Sequence, residues 1–236
     1  MTTNARRSSL WSFAALALGA SCVSAKTTPV AIDQTVAAQF PAALSFSTIT
    51  SGEARVLINI DADGKLVDLL VTGFSHPAFA DEAVSLLRHW KYTPAKVDDQ
   101  PVGVRLELQI NFVTKGRVIS LPAIDTVSAL LKESPARTFV HLVCPPGELD
   151  RPVEVKQTVT PLYPGTTGAA GGTTVLDFYV DEHGLTRMPA VLSASDSRYA
   201  AAAISALSGW RFAAPTRHGR PVAVRVQQSF VFPAVS

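Results

Sequence analysis

The chain has 236 residues, 47% of them hydrophobic and 17% charged, a globular composition with room for one large domain or two of about 100 residues each. It carries 21 Lys and Arg against 19 Asp and Glu, and two of the bases, Arg6 and Arg7, lie in a segment that reads as a removable leader. The remaining charge is balanced, which gives no electrostatic reason to expect nucleic acid as a partner, and heptads, charge blocks and low-complexity tracts are absent.

Residues 1–25 carry a positive start at Arg6-Arg7, an apolar run from Leu10 to Ala20, and a small-residue cleavage pattern at Val23-Ser24-Ala25. The apolar run is shorter than the ~20 residues of a membrane-spanning helix. A cleavable signal peptide and a periplasmic mature chain are therefore expected; the alternative is an uncleaved inner-membrane anchor. Cleavage discards Cys22 and leaves Cys144 as an unpaired thiol, expected to be buried and inert.

After the leader, Val56, Ile58 and Ile60 alternate with Arg55, Leu57 and Asn59, the period of a half-buried strand. Asp61-Ala62-Asp63-Gly64 is turn chemistry, and a second strand follows over Lys65 to Val71. A helix comes next, with Ser75 as the expected N-cap and Pro77 in its first turn. Phe79, Ala83, Leu86, Leu87 and Trp90 form its apolar face, and the tryptophan is expected to close the helix over the sheet. A long last strand points Val104, Leu106, Leu108, Ile110 and Phe112 one way and Arg105, Glu107, Gln109 and Asn111 the other. Residues 115–151 then form a connector, with a short helix expected over Thr126 to Ser134, a strand over Thr138 to Val143, and a break at Pro145-Pro146-Gly147.

The rest of the chain repeats the first part. Trp90-Lys91-Tyr92 returns 120 positions later as Trp210-Arg211-Phe212, and Pro101-Val102-Gly103-Val104-Arg105 as Pro221-Val222-Ala223-Val224-Arg225. Gly52, Asp61, Gly64 and Phe112 map by the same shift onto Gly172, Asp181, Gly184 and Phe232. Leu176, Phe178 and Val180 restate the first strand, and Leu185 to Leu192 the second. Tyr199, Ala203, Ala206, Leu207 and Trp210 restate the helix face, with Ser195 or Ser197 as cap. Val222, Val224, Val226, Phe230 and Phe232 restate the last strand, with Gln228 as a polar intruder. The fold class is α+β: two tandem β-β-α-β modules, residues 26–114 and 152–236, each a three-stranded antiparallel sheet backed by a helix.

An aromatic-Pro dipeptide (Phe40-Pro41, Tyr163-Pro164), a Gly opening a strand, an Asp-x-x-Gly turn, a helix ending in Trp-Arg-Phe or Trp-Lys-Tyr, and a Pro-Val-x-Val-Arg strand together resemble the TonB C-terminal domain. The resemblance covers nearly all of the mature chain apart from the connector, and it implies a periplasmic protein linked to TonB-type transport. It also implies contact with an outer-membrane transporter or another envelope protein, whose extended segment adds as a strand beside the module's final strand. Mapped here, that edge comprises Val222, Ala223, Val224, Arg225, Val226, Gln227 and Gln228 in the second copy, and Val102, Val104 and Arg105 in the first. The same edges would allow self-association, and the alternative function is a scaffold or oligomer whose two modules pair edge to edge. Leu10 to Ala20 contains no His and no long Pro-rich or Lys-rich spacer follows, so coupling to a proton-driven motor is not expected.

No catalytic constellation is legible, so a binder and not an enzyme is expected. The five histidines show no metal-ligand spacing, and no cofactor or metal is anticipated. The glycines at 165, 168, 171 and 172 lack a following Gly-Lys-Ser/Thr, and Asn59 to Gly64 suggests a calcium loop whose bidentate position falls on Leu70, so a hairpin turn explains it better. One asymmetry stands out: the tip before the last strand reads Val97-Asp98-Asp99-Gln100 in the first copy and Arg217-His218-Gly219-Arg220 in the second. Either both tips are merely solvated, or Arg217 and Arg220 face an anionic peptide or envelope component.

Overall fold

The computed structural model describes residues 26–45, 47–114, 139–164 and 171–234. The leader over 1–25 and the helix expected over Thr126 to Ser134 lie outside the described residues. Eight strands and two helices carry the architecture: β1 Ser51–Ile60, β2 Leu66–Phe74, α1 Pro77–His89, β3 Val104–Val113, β4 Val140–His141, β5 Val143–Cys144, β6 Gly172–Val180, β7 Thr186–Ala194, α2 Ser197–Ser208 and β8 Ala223–Phe232. Short strands between them tie down the loops.

The chain is α+β, but each main sheet has four strands where three were expected. The first has the order β3-β1-β2-β4 and the second β5-β8-β6-β7. The connector supplies the extra strand to both. β4 pairs antiparallel with Gly73 and Phe74, and β5 pairs parallel with Ala223 and Val224.

Alternation along the central strands decides what is buried. Val56, Ile58 and Ile60 are fully buried beneath Phe79, Ala83 and Leu87 of α1. Leu176, Phe178 and Val180 lie beneath Tyr199, Ala203 and Leu207 of α2 in the same way. Each large side chain so buried contributes on the order of 1.5–3 kcal/mol. The repeated glycine at the start of each central strand makes room for the helix's first aromatic. A Cβ on Gly52 would lie 2.0 Å from the Phe79 ring, and one on Gly172 would lie 2.4 Å from Tyr199.

The turns behave as expected of hairpins. Asp61 Oδ1 accepts from the amides of Asp63 (2.9 Å) and Lys65 (2.8 Å), and Asp181 Oδ1 from those of His183 (3.0 Å) and Leu185 (2.8 Å). Gly64 and Gly184 follow at φ +81° and +78°. The Asp61 carboxylate is thus engaged with its own turn.

The helix caps differ from the expected serines. His76 caps α1, its Nδ1 accepting from the Ala78 amide, and Asp196 caps α2, accepting from Arg198 N–H. The serines one residue earlier do another job in both copies. Ser75 Oγ accepts from Glu53 N–H at 2.9 Å and donates to its carbonyl at 3.3 Å, while Ser195 Oγ does the same with Thr173 at 2.9 and 3.2 Å. They fasten the end of the hairpin, which leaves the next residue free to cap.

Each tryptophan lies half-buried on its core and donates its indole N–H outward, Trp90 to Val36 O (3.1 Å) and Trp210 to Val159 O (3.0 Å). Each carbonyl lies two residues beyond a short leading strand, Ala31–Gln34 or Val155–Gln157, which pairs with the residues just after the tryptophan. Gln34-Thr35-Val36 and Gln157-Thr158-Val159 are identical and 123 positions apart, so the duplication begins earlier than Gly52, with three residues fewer in the second copy's intervening sequence.

One exchange between copies shows how closely the cores correspond. The Leu87 carbonyl at the end of α1 accepts from the Tyr92 hydroxyl at 2.9 Å, and burial pushes that hydroxyl's pKa up to about 12. The equivalent Leu207 carbonyl faces Phe212, which has no hydroxyl, and accepts instead from Thr186 Oγ1 at 3.1 Å. The first copy has Leu66 where the second has Thr186. Tyr92→Phe should therefore destabilise the fold by about 1–3 kcal/mol in urea denaturation, and adding Leu66→Thr should recover part of the loss.

Candidate functional site: two strand edges and the face between them

The last strand of each copy lies beside its central strand, so one edge faces outward. In the first sheet β3 pairs with β1 over ten register positions, Ser51↔Val113 through Ile60↔Val104. Thr114 N–H donates back to Thr50 O, which fixes the parity of the ladder. Leu106, Leu108 and Ile110 direct their backbone groups at β1, and Arg105, Glu107, Gln109, Asn111 and Val113 direct theirs outward. Among the described residues no strand pairs with that outer side.

In the second sheet the Ala223 amide donates to Leu142 O at 2.8 Å, so the outward set is Ala223, Arg225, Gln227, Ser229 and Val231. Val224, Val226 and Gln228 turn their backbone inward to β6. Ala223 and Val224 already have β5 as a neighbour, and among the described residues no strand pairs with the edge from Arg225 onward.

Two expected edge residues are elsewhere. Val102 belongs to a separate short hairpin, Gln100–Val102 against Ala95–Val97, and Gly103 separates it from Val104 and β3. Val222 is buried at 8% exposure and donates its amide to Pro215 O.

Arg217 meets an anion within its own chain: Nη2 lies 2.6 Å from Glu148. The Asp150 carboxylate accepts from the His218 and Gly219 amides at 2.7 and 2.8 Å, while Arg220 remains exposed. The first copy has the reverse charges. The Asp98 carboxylate accepts from Lys26 N–H at 2.8 Å and Asp99 lies 3.4 Å from Lys26 Nζ. The two tips therefore differ because their intramolecular partners differ.

The modules meet by their sheet faces; among the described residues no strand of one main sheet pairs with a strand of the other. The faces turned away from the helices bury Leu57 and Leu70 of the first copy against Tyr179, Met188 and Ala223 of the second. Asp177, fully buried, lies at the centre. Arg105 of the first copy reaches across to it, and Arg225 of the second joins at 2.7 Å. Arg105 also donates to Met188 O at 2.8 Å and lies over the Tyr179 ring at 5.3 Å. Met188 has φ +51° at an irregularity in β7, an unusual backbone for a side chain of its size, and the kink turns its carbonyl toward Arg105. A second cross-link joins Arg187 to Asp68 and, at 2.9 Å, to Leu69 O.

Burial opposes the charge on Asp177, but hydrogen bonds and the positive charges of Arg225 and Arg105 prevail, so its carboxyl is held below the usual aspartate range. Arg105 and Arg225, expected only on a docking edge, thus hold the carboxylate between the modules. The available signal was an unmatched pair: the 120-residue shift places Leu57 opposite Asp177.

Comparison with known families gives one profile, described as Gram-negative bacterial TonB protein C-terminal, which matches residues 47–114 and again 166–233, together more than half the chain. No curated protein matches the sequence.

Asp177→Asn should cost roughly 3 kcal/mol at neutral pH, the low end for a broken buried pair because Arg225 is half exposed. A lowered folded pKa means that the contribution is complete above the unfolded value of about 4 and disappears as pH falls through the folded value. The stability gap between wild type and Asp177→Asn, measured by denaturation from pH 7 to pH 2, should stay constant to about pH 4.5 and then close.

Proposed function

Because the chain belongs to the Gram-negative bacterial TonB protein C-terminal family, we propose that it is a periplasmic TonB-like adaptor that takes an extended segment of an outer-membrane transporter, or of another envelope protein, as an added strand. The observation that carries this reading is the open side of β3. Five residues there direct backbone donors and acceptors outward with no strand beside them among the described residues. An exposed edge of that length invites pairing, and proteins normally blunt one that has no use.

The side chains suit an added strand as well. On the helix side, Leu106 and Leu108 are only partly buried and form an apolar shelf for alternate residues of an incoming segment. On the other side Glu107 and Gln109 offer polar partners, steadied by Thr72 at 2.6 Å and Glu53 at 2.6 Å. Backbone pairing would supply most of the affinity, and the shelf would select an alternating apolar pattern. No helix of the described residues is long and apolar enough to cross a membrane.

The ladder parity makes the test specific. Gln109→Pro removes an outward amide and spares the pairing with β1, whereas Leu108→Pro removes an inward one and damages the sheet. With a photoreactive residue at Val113, wild-type chain in intact cells should crosslink to an outer-membrane transporter or other envelope protein. Gln109→Pro should reduce that crosslink by roughly tenfold while the circular dichroism stays native. Undiminished crosslinking by a folded Gln109→Pro chain would sink the strand-addition mechanism.

A further inference from the structure

Residues 139–144 form a strap that crosses from the outer edge of β2 to the outer edge of β8. Its first half is anchored on the first module. The Phe139 ring fills the hollow above Gly73, where a Cβ would lie 2.3 Å from the ring, and the Arg55 guanidinium lies 4.7 Å from the ring centroid. Leu142 N–H donates to Thr72 O at 2.9 Å. Its second half uses the second module's last strand, with Leu142 O accepting from Ala223 N–H and β5 running parallel to Ala223 and Val224. Val143 packs into the apolar contact between the modules, and Cys144 is 2% exposed. Beyond it, Glu148 and Asp150 tether the chain to the Arg217–Gly219 tip.

The Ala223 amide taken by the strap belongs to the same outward set as Arg225, Gln227, Ser229 and Val231. We infer that the strap is an internal occupant of the second docking line, displaced when an external strand pairs along β8, so that docking there loosens the contact between the modules. This rests on the reading of the last strands as docking lines.

Two physical features support displacement. The strap's hold on β8 is a two-residue parallel ladder, the weaker arrangement per residue, whereas an antiparallel strand started at Arg225–Val231 gains further pairs by advancing over Ala223. The tethers on either side, Phe139 and Glu148–Asp150, keep a released strap nearby and ready to rebind. Val143 sits on both the ladder and the intermodule cluster, so the two cannot change independently. The first module's edge has no such occupant among the described residues and docks a partner unaided.

The test uses the full chain with Cys22→Ser, leaving Cys144 as its thiol, and the variant Val143→Asp, which places a charge in the apolar contact without altering β8. Val143→Asp should raise the rate of Cys144 labelling by a maleimide at least roughly tenfold. It should also raise crosslinking from a photoreactive residue at Gln227 severalfold, while crosslinking from Val113 stays unchanged. Unchanged labelling overturns the inference, as does increased labelling with no rise at Gln227 while Val113 still crosslinks. Loss of crosslinking at Val113 in the parent chain is instead the failure of the docking reading itself, and it removes this inference too. Hydrogen exchange on the unmutated chain decides the matter if the variant does not fold. Ala223 and Leu142 amides should exchange at least roughly tenfold faster than Val224 and Val226; equal protection would mean that the strap opens only when the whole fold does.

Discussion

A single carboxylate with no solvent exposure organises the molecule. Asp177 cannot keep its charge in that position without partners, because an unpaired buried charge costs several kcal/mol. Its partners are the same arginine of the repeated Pro-Val-x-Val-Arg motif, taken once from each copy: Arg105 across the interface and Arg225 beside it. A motif duplicated for reasons internal to the module has thus become the means by which the modules hold one another. Two acids facing two arginines would bury four charges; with Leu57 at the corresponding position, the other half of the face can be apolar and join Leu70, Tyr179, Met188 and Ala223.

The same division of labour explains why the modules occur in one chain. A symmetric pair would present one face twice, each residue answering to its own copy. Here the cross-links are Arg105 to Asp177 and Asp68 to Arg187, and the shift of 120 places Leu57 at the position of Asp177, Met188 at that of Asp68 and Val67 at that of Arg187. Two first modules facing each other would bring Arg105 against Leu57, leaving the guanidinium without its acid. Two second modules would lack Asp68 as the partner for Arg187. The observed cross-links need one module of each kind, and the tandem arrangement supplies that pair. At the exposed tips the charges are exchanged in a similar manner, Lys26 with Asp99 in one copy and Glu148 with Arg217 in the other. Such exposed pairs add about 0–1 kcal/mol each, so they guide the leading segments into place more than they stabilise them.

Local patterns made most of each module legible. Alternation over Val56 to Ile60 identified a buried strand face, the helical spacing from Phe79 to Trp90 identified the side that covers it, and Asp61 to Gly64 identified the turn. These depend on neighbours in sequence. What lay beyond reach depends on the other surface of the same strands. A period of two shows that Leu57 points away from the helix, but not whether water or another sheet meets it. The serines at 75 and 195 were of the right type for capping, yet a hydroxyl can also bond across a hairpin, and only the register places Glu53 and Thr173 within reach. A strand was legible over Thr138 to Val143, but β4 and β5 are two residues each, too short to show that one joins each sheet. Before Gly52 the aromatic-Pro dipeptides were the legible sign of duplication, because a stretch three residues shorter in the second copy breaks the constant shift just before Gly172.

The candidate edges were legible as strands but not as edges, because parity and neighbours decide which backbone groups are available. Val224 and Val226 look like docking positions in the sequence; the Ala223 amide bonded to Leu142 shows that their own amides point inward to β6. The copies have also diverged along this line. The first keeps Leu106 and Leu108 on the shelf beside an edge with no neighbouring strand among the described residues, while the second has Val226 and Gln228 there and shares its opening residues with the strap. Had the two edges been interchangeable, there would be no physical reason for one to lose apolar surface while gaining an internal neighbour. Gln228 stands where the first shelf has Leu108 and offers an added strand less apolar packing, and the strap must leave before a ladder can reach Ala223. If the last strands are docking lines, both differences make the second edge the weaker one, and the face-to-face contact holds the two unequal edges in one body.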